Sequence, residues 1–168
     1  MSSILIDIHQ RIATITFNRP EKKNAFNRDA WFALRDAIVE ARDNDSASVV
    51  VITGAGKDFS SGVDLSDLNG DPNEKPPFEV MMDELMLLDK PLLAAAKGVA
   101  IGFGATALFH CDVVYVGESL RMRLPFVNLG LVPEAGCSYT LPRNIGYQQA
   151  AELLFTAEWI NAERAVET

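Results

Sequence analysis

Apolar and polar positions alternate over residues 4–8 and again over 12–17, and His9-Gln10-Arg11 separates the two runs. β-Branched residues dominate both, and a period of two broken by a short polar stretch predicts a β-hairpin. Asn18-Arg19-Pro20 closes the second strand. Asn27 is a good N-cap for a helix running to about Asp43, in which Trp31, Leu34, Ala37, Ile38 and Ala41 recur at helical spacing and form one apolar face. Val49–Thr53 is a continuous apolar, β-branched run, the pattern of a strand buried on both faces, and Gly54-Ala55-Gly56-Lys57 follows it as a turn. Residues 69–77 hold the densest group of turn residues and predict a loop. Phe78–Leu88 reads as a helix ended by Asp89-Lys90-Pro91, and Leu92–Lys97 as a strand. Gly98–Gly104 reads as a glycine-spaced turn entering a helix through about His110. Val113–Val116 then predicts another buried strand, Tyr147–Phe155 a helix, and Asn161 the cap of a last helix. Strands alternating with helices predict an α/β domain with crossover connections.

A length of 168 residues suggests one domain over residues 1–168, long enough to bury a sizeable core. A net charge of −8 argues against a nucleic-acid partner, although a local basic cluster could still hold a phosphorylated small molecule. Cys111 and Cys137 form neither a disulfide framework nor a metal-ligand spacing, so a reducing, cytoplasmic setting is expected and no metal. The first residues lack a basic stretch followed by a long apolar run, so neither a signal peptide nor an anchor is expected. Residues 85–109 come nearest to a membrane span, but Asp89, Lys90, Pro91 and Lys97 interrupt them, so no membrane association is expected.

Three segments could carry chemistry. Lys57–Leu65 follows the Val49–Thr53 strand, where α/β proteins favour ligand sites, and its glycine among small residues lets backbone approach a ligand. It reads equally well as a surface turn capping a helix. Gly98–Ala105 places three glycines between a strand and a helix start, whose unpaired N–H groups suit an anion or a developing oxyanion. Gly102–Ala107 also fits a loose dinucleotide fingerprint, and the glycines could serve only tight packing. In Arg123–Gly136, Glu134 is a lone acid in an apolar stretch; such burial raises a carboxyl's pKa and suits a base, while a solvated loop acid is the plainer alternative. His9 and His110 have no visible Ser or Cys partner and read as structural.

The order of these segments is more specific than any one of them. Asn18–Phe26, Phe59–Leu65, Gly98–Gly104 followed by Cys111-Asp112, and Pro125–Gly136 resemble, in order and spacing, the segments of the crotonase (enoyl-CoA hydratase/isomerase) superfamily. The resemblance covers essentially the whole chain. It implies a crotonase-like spiral of ββα repeats, here lacking most of the C-terminal helical region that completes the acyl pocket and builds the trimer interface. It also implies a homo-oligomer, a trimer or hexamer in the full-length family. An acyl-CoA thioester would be substrate, with no cofactor beyond its CoA. Carried over by position, Val63 N–H and Phe103 N–H form the oxyanion hole. Ala25 and the main chain around Ser61, Gly62, Asp64 and Leu65 would hold CoA, with Lys22, Lys23 or Lys57 meeting its phosphates. Gly102, Phe126, Leu131, Pro133 and Cys137 would line the pocket.

Within the family, the two glutamates of the hydratases correspond to Thr106 and Phe126, neither of which can act as a base at neutral pH. Asn128–Gly136 instead resembles the peroxisomal-type Δ3,Δ2-enoyl-CoA isomerases, whose single catalytic glutamate matches Glu134 and which place a large apolar residue at the Phe103 position. The expectation is therefore an isomerase that holds a dienolate on the two N–H groups while Glu134 moves one proton. Another crotonase activity and a catalytically silent acyl-CoA binder are the alternatives.

Overall fold

The computed structural model of the chain describes residues 2–67 and 74–167; most of the 69–77 loop expected from the sequence lies outside the described residues. The N-terminal hairpin forms as the alternation predicts. Strands β1 (Ile4–His9) and β2 (Ile12–Phe17) pair antiparallel, with Ile4 opposite Phe17 and His9 opposite Ile12. Helix α1 (Arg28–Asp43) begins where the Asn27 side chain accepts a hydrogen bond from Ala30 N at 3.0 Å. Its Trp31, Leu34, Ala37, Ile38 and Ala41 are all buried, as their spacing requires.

Strand β3 (Val49–Gly54) joins β2 in parallel. It is not buried on both faces: Val50 and Ile52 are buried, while Val49, Val51 and Thr53 are only half-buried. Helix α2 (Pro77–Met86) packs on α1 and leads into β4 (Leu92–Ala96), parallel to β3.

Beyond β4 the chain repeats a pattern. It turns at Gly98, runs through β5 (Val99–Ile101), and enters α3 (Phe103–Thr106), which continues as a 3-10 turn over Ala107–His110. It returns as β6 (Val113–Val116) beside β4, turns at Gly117, and runs through β7 (Arg121–Arg123) beside β5. Helices α4 (Cys137–Ile145) and α5 (Tyr147–Thr156) follow, then β8 (Ile160–Asn161), antiparallel to β7, and α6 (Ala162–Glu167). Asn161 caps this last helix by accepting from Arg164 N. The result is a five-stranded sheet ordered β1-β2-β3-β4-β6 and a three-stranded sheet ordered β5-β7-β8. Each repeat places one strand in each sheet, then a helix, so the chain winds as a spiral of ββα turns. Adjacent turns touch at their corners: a Cβ on Gly98 would lie 2.1 Å from the Lys57 carbonyl oxygen, so only glycine fits there.

Two further expectations change. Gly98–Gly104 is not only a turn, because it contains β5. That strand lies at the edge of a three-stranded sheet and leads into one short turn of α-helix, which is not the parallel-sheet arrangement a dinucleotide fingerprint needs. Strand β6 was expected to be buried, yet Val113, Val114 and Tyr115 are exposed, since β6 is the outer strand of the large sheet. Among the described residues, no helix is long and apolar enough to cross a membrane.

Candidate active site

Arg19 and Asn24 fold the segment after the hairpin around the loop that follows β3. Asn24 is 2 % exposed, and both ends of its amide are used. Its Oδ1 accepts from Arg19 N, and its Nδ2 donates to the carbonyls of Ala55 and Asp58 at 3.0 and 2.8 Å. The Arg19 guanidinium donates to the Ala25 carbonyl and, at 3.1 Å, to Asp64 Oδ2. Asp64 also accepts from the Ser66 hydroxyl and N–H, and these bonds with the Arg19 charge hold its carboxyl below the usual range. Asp64 is thus a structural clip.

This clipping decides which N–H groups remain free. Ser61 N donates to the Lys23 carbonyl, Gly62 N to the buried Ser60 hydroxyl, and Asp64 N to the Phe26 carbonyl. Val63 N–H, between the last two, has no acceptor among the described residues. Phe103 N–H, at the start of α3, has none either. The two lie side by side. A Cβ on Gly62 would stand 3.3 Å from Phe103 N and 2.6 Å from the Ile101 carbonyl oxygen. Gly62 has φ +84, and Gly102, which turns the chain into α3, has φ +54 and ψ −122, a conformation side chains other than glycine's avoid. Nothing lies within 4 Å of a Cβ built on Gly102, so the space before α3 is open. Two unengaged main-chain donors, one of them beside open space, are an arrangement suited to a developing negative charge.

The Phe103 side chain points the other way. It is 1 % exposed and meets the rings of Phe26, Trp31 and Phe78 edge-on, with centroids 5.2, 4.7 and 5.8 Å away. A large apolar residue here anchors the donor peptide in the core.

Glu134 enters from the third segment. Its half-buried carboxyl is pushed up to about 7 by burial, against the opposing pull of a hydrogen bond from Thr106. Thr106 Oγ1 lies 3.3 Å from Glu134 Oε1 and 3.4 Å from the Phe103 carbonyl oxygen, so its one proton is shared between the acid and the residue whose N–H is unengaged. Next to Glu134, Ala135 takes φ +49, and its carbonyl accepts the Nε2–H of His110 at 2.8 Å.

The structure gathers most of the expected site residues and redistributes others. Lys22, Lys23 and Lys57 are exposed on adjoining loops, joined by the Ser61 bonds to the Lys22 and Lys23 carbonyls and by the Asn24 bonds on either side of Lys57. Ala25 is buried, and the Leu65 side chain is exposed. The N–H groups of Ser61, Gly62 and Asp64 are engaged within the protein, so a main-chain grip on CoA there would fall to other main-chain groups. Phe126, Leu131 and Pro133 line a cavity of about 390 Å³ with α4 and α5. Cys137 does not line it: it has no exposed surface, and its thiol is pushed up to about 12 by burial and the Glu134 carboxylate. Asn24, Ser60 and His110 were not recognised as site-building residues, because each acts on a main-chain group distant in sequence, and Arg19 was not because its partner Asp64 is 45 residues away.

Residues 7–168 match the family described as Enoyl-CoA hydratase/isomerase. Among relatives, the chain is 33 % identical over 176 residues to 1,2-epoxyphenylacetyl-CoA isomerase of Escherichia coli, covering 99 % of this chain and 67 % of that one. It is 35 % identical over 170 residues to the 2,3-dehydroadipyl-CoA hydratase of the same organism, covering 98 % and 66 %. Among solved structures, an enoyl-CoA hydratase/isomerase from Pseudoalteromonas atlantica superposes with a TM-score of 0.92 at 36 % identity, covering 98 % of this chain and 66 % of that one. The chain belongs to the enoyl-CoA hydratase/isomerase family, with its mixed α/β crotonase-like fold, and spans about two thirds of the length of these relatives.

Proposed function

We propose that the chain forms the acyl-CoA site of an enzyme acting through a thioester enolate, and that its reaction is Δ3,Δ2-enoyl-CoA isomerisation. The observation that carries this reading is a single carboxyl, Glu134, with a pKa pushed up to about 7, joined through Thr106 to the residue that offers one of two unengaged N–H groups. A 3-enoyl-CoA would place its thioester oxygen on Val63 N–H and Phe103 N–H. Glu134 takes a proton from C2, and the C–H electrons delocalise into a dienolate whose charge rests on the oxygen. The same carboxyl returns the proton to C4, which forms the 2,3 double bond. One acid suffices because one proton moves. Lys22, Lys23 and Lys57 would meet the CoA phosphates, and the cavity beside Pro133 would receive acyl carbons.

Hydration is the second reading, favoured by the names of relatives such as the 2,3-dehydroadipyl-CoA hydratase. Against it stands the replacement of the family's two acids by Thr106 and Phe126, so no second carboxyl at those positions can activate water. The enoyl-thioester absorbance separates the two. With trans-3-hexenoyl-CoA it should rise for wild type and rise about 100-fold more slowly for Glu134→Gln. Wild-type activity in Glu134→Gln would remove Glu134 as the base. Loss of absorbance with crotonyl-CoA, and no reaction with the 3-enoyl substrate, would favour the hydratase.

A further inference from the structure

Residues 103–110 form one continuous helical segment, α3 and the 3-10 turn after it. The segment touches the Glu134 loop twice. Thr106 meets the carboxyl at 3.3 Å, and His110 meets the next peptide at 2.8 Å. The two residues are four apart, and the tightening to a 3-10 turn after Thr106 still leaves both against the same loop. The first contact sets the position of the side chain, and the second that of the main chain that carries it.

That main chain needs a restraint. Ala135 and Gly136 are consecutive left-handed residues, at φ +49 and +62. Gly136 adopts this freely, but an alanine there is strained by about 1 kcal/mol or more. Ala135 is nevertheless 8 % exposed, and its carbonyl is held. A carbonyl can only accept, so Nε2 of His110 carries the proton. The turn continues as Cys137 N donates to the Glu134 carbonyl at 2.8 Å, starting α4.

We propose that His110 is a positioning residue for Glu134: by donating Nε2–H to the Ala135 carbonyl, it holds the strained turn that aims the carboxyl at the two main-chain donors. The proposal rests on Glu134 as the base. The groups acting on that carboxyl are the Thr106 hydroxyl from α3 and the Cys137 thiol from α4, while His110 meets the main chain one residue on.

The test uses His110→Ala, His110→Asn and His110→Gln in the full chain. Glutamine places its amide N–H about where Nε2 stands, whereas asparagine is too short. The Glu134 carboxyl is followed by carbon-13 NMR titration, which needs no turnover, and kcat and KM are measured with trans-3-hexenoyl-CoA. In wild type Glu134 should titrate near 7. The Ala and Asn variants should shift that titration towards the ordinary carboxylate range and lower kcat about 10-fold or more, with KM within about 2-fold. His110→Gln should recover both. Asparagine keeps a polar side chain, so it serves if the alanine variant does not fold. A wild-type titration in His110→Asn, or a folded His110→Gln as impaired as asparagine, overturns the proposal. If Glu134→Gln stays fully active, the base assignment fails, while the titration still reports whether His110 restrains Glu134.

Discussion

A methyl group on Gly62 would have to stand 2.6 Å from the Ile101 carbonyl oxygen, in a backbone conformation with φ +84. Relief requires moving either the Val63 or the Phe103 segment, which separates the two donors. Gly62→Ala should therefore lower kcat/KM by about 100-fold, the order expected for a lost oxyanion donor, and steady-state kinetics on the purified variant checks it. Glu134 has a second consequence at this scale. Its folded pKa, about 7, lies above the 4.5 of an ordinary glutamate, so between those values the folded state binds more protons than the unfolded one. Stability is then fully present below pH 4.5 and is lost as pH rises through about 7. Glu134→Gln removes that loss: it should leave melting unchanged at pH 4 and stabilise the chain at pH 8 by about 2 kcal/mol, a figure reduced for partial exposure. Thermal melts at the two pH values decide it. Glu134 stood out in the sequence because it is an isolated acid in an apolar run, and the resemblance gave it a role. Nothing of that kind marked His110 or Asn24, whose partners are carbonyls 25 and 34 residues away.

At the scale of elements, the aromatic rings place the donors. Phe103 on α3, Trp31 on α1, Phe78 on α2 and Phe26 on the opening loop form one cluster, and Phe26 also packs on Phe17 of β2. Phe103→Ala would leave a cavity at its centre. It should destabilise the chain by about 3–5 kcal/mol, read by urea denaturation, and lower kcat even in the molecules that remain folded, because α3 loses its anchor. The elements most legible in the sequence are those whose signals are local. The hairpin has its alternation, α1 has Asn27 and an apolar face, and α6 has Asn161. The small sheet was not legible for the opposite reason. Strand β7 is three residues long with an arginine at each end, and β8 has two residues. Neither is long enough to show a period, and both exist because the spiral brings them beside β5. The exposure of β6 was hidden in the same way: a run of Val, Val, Tyr, Val predicts a strand, but only its place in the sheet order determines what faces it.

That outer position bears on the whole molecule. Strand β6 has a strand on one side only among the described residues, and its Val113, Val114 and 65 % exposed Tyr115 are open to solvent. Val114 also borders a cavity of about 380 Å³ with Leu108, Val116, Leu141 and Val166. An apolar outer strand without a charged side chain is a template for pairing with another copy, and the chain's net charge of −8 opposes that only at long range, where salt screens it. The chain should therefore self-associate at micromolar concentration, more strongly as salt is raised, through edge-to-edge contact of β6. Val114→Lys places a charge in that contact without touching Gly62, Phe103 or Glu134. Sedimentation velocity should show the wild type shifting to larger species between low and high salt and the variant remaining a monomer, with its melting temperature within a few degrees of wild type. If Val114→Lys associates as the wild type does, the edge is not the contact, and the apolar cavity lined by Phe126, Leu131 and Phe155 becomes the surface to change next.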